Sequence, residues 1–158
     1  MSSYPPAPSY SEPGHSPAGP PSIDQPYPGA PLGVAVRRFF TKYATFSGRA
    51  SRSEYWWWTL VAVLVSVVLN ILSRAVGGGS MMMGSGHMNA GTSVISIISL
   101  LWSLATVVPS LALAWRRLHD TNRSGGWWFL ILIPFVGVII LIVWFASASR
   151  PEGARFDR

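Results

Sequence analysis

The chain of 158 residues contains no cysteine, which excludes disulfide bonds, thiolate catalysis and cysteine-ligated metal sites. Charged residues are also scarce, because Asp, Glu, Lys and Arg form only 11% of the sequence, whereas a typical soluble domain has about 25%. Hydrophobic residues form 49%, eight residues are tryptophan, and the mean hydropathy is +0.34. This composition is unusual for a soluble enzyme and favours a protein embedded in a membrane.

Three long runs lack Asp, Glu, Lys and Arg altogether, and they cover Trp56–Leu72, Val94–Trp115 and Trp127–Phe145. A bilayer core of about 30 Å requires about 20 apolar residues in a helix. Helices are expected because unpaired backbone groups are costly in lipid, and no alternating pattern suggests a barrel. Pro109 and Pro134 lie within the second and third runs, where proline bends a helix. The sequence therefore predicts an all-α membrane protein with three transmembrane helices, at about residues 52–73, 94–117 and 126–146.

The first 31 residues have a different composition, since they hold ten of the 13 prolines and no Lys or Arg. Such a stretch buries too little apolar surface to offset its ordering entropy. It also lacks the basic start and apolar core of a signal peptide. We therefore predict a disordered proline-rich tail over residues 1–31 and a helical membrane domain over residues 32–158. The PxxP segment at residues 5–8 is an alternative partner site within the tail.

Positive charge is concentrated before the first run and after the second. Five basic residues precede the first run, Arg74 alone follows it, and three more lie in the loop after the second run. Under the positive-inside rule, the amino terminus and the second loop are cytoplasmic in a multi-pass protein of the cell membrane. Three spans would then place the carboxyl tail on the opposite side, although Arg150, Arg155 and Arg158 argue against that placement.

Two local patterns mark the start of the membrane domain. Ser51 and Glu54 have the spacing of a capping box, which predicts that the first membrane helix begins near Arg52. Just upstream, residues 32–46 mix aromatic and basic side chains at helical spacing. This segment is predicted to form a short amphipathic helix that lies on the inner leaflet.

Two similar segments border the first and third runs, at residues 47–58 and 122–128. In both, an arginine and small hydroxyl residues lead into consecutive tryptophans. Indoles such as those of Trp56 and Trp127 suit the layer between acyl chains and headgroups, and arginine binds lipid phosphate. These borders are either depth anchors or a binding site for anionic lipid or a membrane partner. The arginines assigned to that site are Arg49, Arg52, Arg116, Arg117 and Arg123.

His119 and Asp120 are residue types that can form an acid–base pair. Adjacent residues on a helix point about 100° apart, so these two side chains do not face each other. Arg116 is better placed to pair with Asp120 at i, i+4, and Glu54 can reach the same interfacial layer. We therefore predict a structural polar network of Glu54, His119 and Asp120, with no catalytic residues and no enzyme activity.

The loop between the first two runs, residues 77–88, combines glycines with four methionines and His87. Thioether and imidazole ligands suit Cu(I), so copper binding is an alternative use of this loop. Against it, three contiguous methionines need a sharp turn to point at one centre, and methionine also serves as apolar filler. We predict no metal site and no cofactor.

The most distinctive motif is WRRLHDTNRSGGWW at residues 115–128. Together with FTKYATFSGRASRSEYW at residues 40–56 and IPFVG at residues 133–137, it resembles the bacterial family called domain of unknown function 805. The resemblance covers about residues 36–156 and implies a small bacterial inner-membrane protein whose biochemical activity is not established. This chain departs from the family at residues 154–157, where Ala-Arg-Phe-Asp replaces the usual Asn-Arg-Phe-Gly.

These features together predict a non-enzymatic role, in which the arginine and tryptophan borders bind anionic lipid or a membrane partner. The alternative is an oligomeric channel or transporter for a small solute, with the kinked helices lining its path. The three runs contain no Asp, Glu, Lys or Arg, which weakens ion or proton coupling but permits a neutral solute. The expected partners are membrane lipids and either a second copy of the chain or another membrane protein, and no nucleic acid is expected.

Overall fold

A computed structural model describes residues 21–23, 25–76 and 90–157 of the chain. Every regular element in this part is helical, which confirms the predicted all-α class. The α-helices of the described residues are α1 (Leu32–Thr41), α2 (Arg52–Val76), α3 (Ala90–Asp120) and α4 (Val136–Ala146), and two 3-10 helices cover Gly125–Leu132 and Pro151–Phe156.

α1 is a short amphipathic helix that lies against the start of α2. Its buried residues recur at i, i+3 and i+4, and they are Ala35, Arg38 and Phe39. The Phe39 ring stacks on Trp58 of α2, with 3.4 Å between the ring centroids. An amphipathic helix is therefore present as predicted, although it ends at Thr41 rather than near Phe46, and its placement on the inner leaflet stays a prediction.

α2 begins at Arg52 because Ser51 caps it. The Glu54 N–H donates to Ser51 Oγ at 3.3 Å, and the Ser51 N–H donates to Glu54 Oε2 at 2.8 Å. This reciprocal pair is the predicted capping box, and it satisfies N–H groups that the start of a helix would otherwise leave unpaired.

α2 and α3 pack antiparallel as the two long helices of the described residues. Trp58 Nε1 near the start of α2 donates to Ser110 Oγ near the end of α3 at 3.2 Å. With 25 and 31 residues, the helices are about 37 Å and 46 Å long, more than a bilayer core of about 30 Å. By length and composition, these two described helices can cross a membrane. Most of their apolar side chains are exposed, including Leu101 and Leu104 at 59% each, as expected of a surface that meets lipid.

The third apolar run does not form the single helix that was predicted over residues 126–146. It folds as a 3-10 helix, a break at residues 133–135, and α4, which has 11 residues and is only about 16 Å long. Pro134 has no N–H with which to continue a helix, and Phe135 has a φ of +62°, in the left-handed region. The chain reverses here, and Gly137 lies so close to Leu130 that a Cβ on Gly137 would be 1.7 Å from the Leu130 carbonyl oxygen.

Both ends of this hairpin (residues 125–146) lie at the same end of α3. Where the chain enters the hairpin, the Arg123 guanidinium carbon lies 4.4 Å from the Trp144 ring centroid. Where it leaves, Arg117 Nε donates to the Phe145 carbonyl at 3.0 Å. A segment that starts and finishes at one end of the bundle does not cross it, so a third transmembrane helix is not confirmed.

The C-terminal residues consequently lie beside the start of the membrane domain. The Arg150 N–H donates to the Asp120 carbonyl at 2.9 Å, and the Gly48 N–H donates to the Phe156 carbonyl at 2.8 Å. The predicted placement of the carboxyl tail opposite the second loop is therefore wrong. We call this end of the bundle the basic end, and the opposite end, where α2 finishes at Val76, the far end.

The last part of the predicted tail is in contact with the helices. The Tyr27 N–H donates to Glu54 Oε2 at 3.2 Å, and the Ala30 N–H donates to Ser53 Oγ at 3.0 Å. Residues 1–20 and 77–89 lie outside the described residues. Disorder and the PxxP segment of the tail, like copper binding by the methionine loop, therefore stay predictions.

We predict that Gly137→Ala destabilises the protein by about 1–3 kcal/mol, because its methyl group forces Leu130 away and opens the hairpin. Thermal unfolding of the detergent-solubilised protein, followed by tryptophan fluorescence, measures this loss. Gly126→Ala is the matched control, since a Cβ there meets Ser124 Oγ at an ordinary 3.7 Å. Equal unfolding temperatures for the two variants would contradict the close packing of the hairpin.

Candidate functional site

The basic end contains an unusual concentration of buried charge. The ionisable side chains that are at most 7% exposed there are Arg38, Lys42, Glu54, Arg116, Arg117, His119 and Asp120. They come from α1, the residue that follows it, the start of α2 and the last turns of α3, which the fold brings together. Buried charges are costly unless they are paired, so their partners decide what this cluster does.

Glu54 joins the N-terminal segment to α1 and α2. Its Oε1 lies 2.8 Å from Arg38 Nε, and its Oε2 accepts from the N–H groups of Ser51 and Tyr27. Arg38 Nη2 in turn donates to three carbonyl oxygens, those of Ser22, Ile23 and Gln25, at 2.5–3.0 Å. The capping carboxylate is therefore also a tertiary anchor that joins the N-terminal segment, α1 and the start of α2.

Asp120 similarly anchors the C-terminal segment. Its Oδ2 is paired with Arg117 Nη1 and accepts from Ser149 Oγ at 2.5 Å. Arg117 also donates to the carbonyls of Phe145 and Ser147. The predicted i, i+4 pair between Arg116 and Asp120 is not found. Asp120 pairs instead with Arg117, its i−3 neighbour on α3, whose guanidinium also contacts the end of the hairpin.

Arg116 and Arg117 are 1% and 0% exposed, so their side chains lie inside the protein and do not reach lipid headgroups. Arg116 Nε donates to the Ala112 carbonyl of its own helix at 3.3 Å. Two of the arginines assigned from sequence to a lipid or partner site are therefore interior residues.

Arg49 is held by the C-terminal segment. Its Nε and Nη2 donate to both carboxylate oxygens of Asp157 at 2.6–3.0 Å, and these hydrogen bonds raise the pKa of the Arg49 guanidinium. This two-point contact fixes the end of the chain against residues 47–50. Sequence reasoning missed Asp157 because the two partners are 108 positions apart and no local pattern links them.

His119 belongs to the same contact rather than to a catalytic pair. Its Nδ1 lies 3.2 Å from the Gly48 carbonyl oxygen, and its ring stacks on Phe156 with 4.1 Å between centroids and 5° between planes. Asp120, in contrast, faces Arg117. The His119 imidazole therefore helps to hold the C-terminal 3-10 helix in place. His119 and Asp120 do not form a catalytic dyad.

A second group of cations lies on the surface around this interior. The exposed arginines of the basic end are Arg37, Arg52, Arg150 and Arg155. Arg123 is half-buried above the Trp144 ring, and this burial lowers the pKa of its guanidinium. Trp56 and Trp127, both exposed, lie at the same end. We call this set the basic rim, and it retains Arg52 and Arg123 of the residues predicted from sequence.

We predict that Asp120→Ala lowers stability by about 3–5 kcal/mol, because it leaves the Arg117 charge buried without its partner. Arg117→Met combined with Asp120→Leu should recover much of the loss, since it removes both charges. Glu152→Ala, at an exposed position of the same end, is the control. Thermal unfolding compares all three, and equal stability of Asp120→Ala and Glu152→Ala would refute the role of the pair.

Comparison with known proteins identifies relatives of the chain. The chain is similar to inner membrane protein YhaI of Escherichia coli K12, with 38% identity over 114 residues that cover 72% of this chain and 84% of that protein. It is also similar to inner membrane protein YhaH of the same organism, with 37% identity over 72% of this chain and 85% of that protein. No solved structure matches significantly. The model of the family described as protein of unknown function (DUF805) matches residues 43–158, and the chain belongs to this family.

Proposed function

We propose that the protein crosses the inner membrane twice, through α2 and α3, and that the hairpin re-enters the membrane from the cytoplasmic side without crossing it. The charge distribution supports this topology. Ten basic residues lie at the basic end, whereas Arg74 is the single basic residue near the far end among the described residues. By the positive-inside rule, the basic end is cytoplasmic. Both the N-terminal segment and the C-terminal segment then face the cytoplasm.

The absence of cysteine from the sequence allows a direct test of this topology. We expect Ala148→Cys, at an exposed position after α4, to resist a membrane-impermeant thiol reagent in cells with a permeabilised outer membrane. Ser80→Cys, between the two spans, should react, and Ser47→Cys should be protected. Labelling of Ala148→Cys to the same extent as Ser80→Cys would show that the hairpin crosses the membrane.

The function that this arrangement supports best is non-enzymatic binding of anionic lipid at the cytoplasmic surface. The observation that carries the proposal is the basic rim, whose four exposed arginines and half-buried Arg123 lie at the same end as Trp56 and Trp127. Indoles fix the depth of this end at the headgroup layer, and each nearby basic residue contributes about 1 kcal/mol of attraction to an anionic leaflet. Arg116 and Arg117 are buried and Arg49 is paired with Asp157, so we assign lipid binding to the basic rim.

In this proposal, the buried ion pairs hold the structure together and the basic rim binds lipid. The pairs Arg38–Glu54 and Arg117–Asp120 hold α1, the hairpin and both terminal segments in place. Rim residues such as Arg52 and Arg123 are then presented from different segments toward one lipid surface. A channel for a neutral solute stays the alternative, and no contact among the described residues favours it.

We predict that replacing Arg37, Arg52 and Arg123 together by Gln weakens association with phosphatidylglycerol by roughly a hundredfold at low salt, at about 1 kcal/mol per charge. Native mass spectrometry of lipid adducts, or titration with vesicles that contain phosphatidylglycerol, measures the change. The difference should shrink as ionic strength rises, because salt screens exposed charges.

The matched control replaces the same three arginines by Lys, which keeps the charge. If that variant binds as weakly as the Gln variant, charge at the rim is not what attracts the lipid. Phosphatidylglycerol binding that is unchanged in the Gln variant would remove the proposed function.

A further inference from the structure

A long groove runs along one face of α2, outside the polar cluster and the rim. It has a volume of about 740 Å³ and follows α2 from Tyr55 near the basic end to Arg74 near the far end. α3 contributes its second wall with residues such as Leu111, and Trp128 of the hairpin closes the groove on one side. Its lining is mainly apolar.

The groove exists because the hairpin is short. A third full-length helix would cover the face of α2 along its whole length, but α4 is only about 16 Å long and the chain turns back near Phe135. The part of α2 that extends beyond the hairpin, toward Arg74, is left uncovered between the two long helices. In a bilayer, this surface faces lipid.

The dimensions of the groove match a single hydrocarbon chain. The 19 residue steps from Tyr55 to Arg74 correspond to about 28 Å, and 740 Å³ divided by that length gives a mean cross-section of about 26 Å². A helix with a diameter of about 10–12 Å requires roughly 80–110 Å². A chain of carbon atoms spaced at about 4 Å from its neighbours requires only roughly 15–20 Å².

The length also restricts the kind of lipid. Each leaflet contributes about half of a hydrocarbon core of about 30 Å, so a chain that fills the groove is about twice as long as one leaflet is deep. An ordinary phospholipid bound from one side fills only part of it. A long, single-chain lipid fills it completely.

Three polar side chains along the groove have hydrogen-bond partners within the protein. Thr59 Oγ1 donates to the Tyr55 carbonyl at 2.9 Å, and Asn70 Nδ2 donates to the Ser66 carbonyl at 2.8 Å. Ser110 Oγ accepts from Trp58. These groups therefore do not need hydrogen bonds from another helix, which favours a hydrocarbon chain as the occupant of the groove.

Arg74 supplies the charge for a headgroup. It is exposed, and among the described residues that line the groove it is the one side chain charged at neutral pH. Asn70 lies one turn before it on the same face, so its amide can join the guanidinium in contacting an anion. Arginine binds phosphate through a planar, two-point contact, and a phosphate at this position would leave the attached chain pointing down the groove.

We infer that the groove binds a lipid with a single long apolar chain and a phosphate headgroup, of the polyprenyl phosphate class, with the phosphate at Arg74 and the chain along α2. This site is independent of the proposed function, because its charged residue lies at the opposite end of the bundle and it uses none of the rim arginines. The two proposals can therefore fail separately.

The test uses the full-length protein in nanodiscs of phosphatidylcholine, with a long-chain polyprenyl monophosphate as the probe. Phosphatidic acid has the same headgroup chemistry on shorter chains, and the corresponding polyprenol has the same chain without phosphate. We expect the polyprenyl monophosphate to bind about tenfold more tightly than either, because only this probe uses both parts of the site. Native mass spectrometry, or competition against a photoreactive polyprenyl phosphate, ranks the three.

Two neighbouring positions on α2 supply a matched pair of variants. Val63 lines the groove, whereas Leu64 faces elsewhere, and the two residues are 52% and 55% exposed. Val63→Trp should weaken binding of the polyprenyl monophosphate about tenfold or more, because the indole occupies the groove, while Leu64→Trp should change it by less than about twofold. Arg74→Gln should reduce binding of the polyprenyl monophosphate but leave that of the polyprenol unchanged.

Three results would overturn the inference. Equal binding of the three probes would show that the groove does not select chain and phosphate together. Equal effects of Val63→Trp and Leu64→Trp would place the lipid elsewhere. If Val63→Trp instead converts a dimer into a monomer without altering binding of the polyprenyl monophosphate, the groove is an interface between copies of the chain.

Discussion

The ion pair between Arg117 and Asp120 connects the end of α3 to the hairpin and to the C-terminal segment. Through Arg117, the end of α3 contacts the carbonyls of Phe145 and Ser147, and through Asp120 it contacts Ser149. A buried pair of this kind often adds little net stability, because desolvation offsets the attraction between the charges. Because both charges lie on α3, the pair itself does not depend on the third apolar run. That run and the segment after it instead supply the Phe145 and Ser147 carbonyls and the Ser149 hydroxyl, which bind the remaining polar atoms of the pair and so favour this arrangement over others.

Backbone N–H groups at the reversal of the hairpin have partners within the protein, as the proposed entry of the hairpin into a bilayer requires. At the reversal, the Ile133 N–H donates to the Leu130 carbonyl at 2.9 Å, and the Gly137 N–H donates to the Ile133 carbonyl at 3.1 Å. The close approach of Gly137 to Leu130 makes this turn compact. One consequence is that the end of the chain returns to the basic end, where Asp157 contacts Arg49. Another is the groove along α2, which the short hairpin leaves open.

Local patterns predicted part of this structure and part of the candidate site. The capping box at Ser51 and Glu54 was readable because its members are three residues apart and their contact depends only on the start of a helix. The partner of Asp120 could not be predicted in the same way, because Arg116 and Arg117 are both within reach of it on one helix. Only the position of the hairpin decides between the two arginines. Arg38 and Asp157 were missed as members of the network because their contacts join segments far apart in the sequence.

The sequence by itself determined the apolar character of α2 and α3, the start of α2 and the membership of the family, because charge-free runs, local spacing and motifs require no knowledge of the other segments. Only the tertiary structure decided that the third run turns back and that Arg116 and Arg117 are interior while Arg52 is exposed. The physical reason is that hydropathy adds up transfer free energies residue by residue, and that sum is the same for a helix that crosses the membrane and for a hairpin that enters and leaves on one side. Contacts between distant segments distinguish the two.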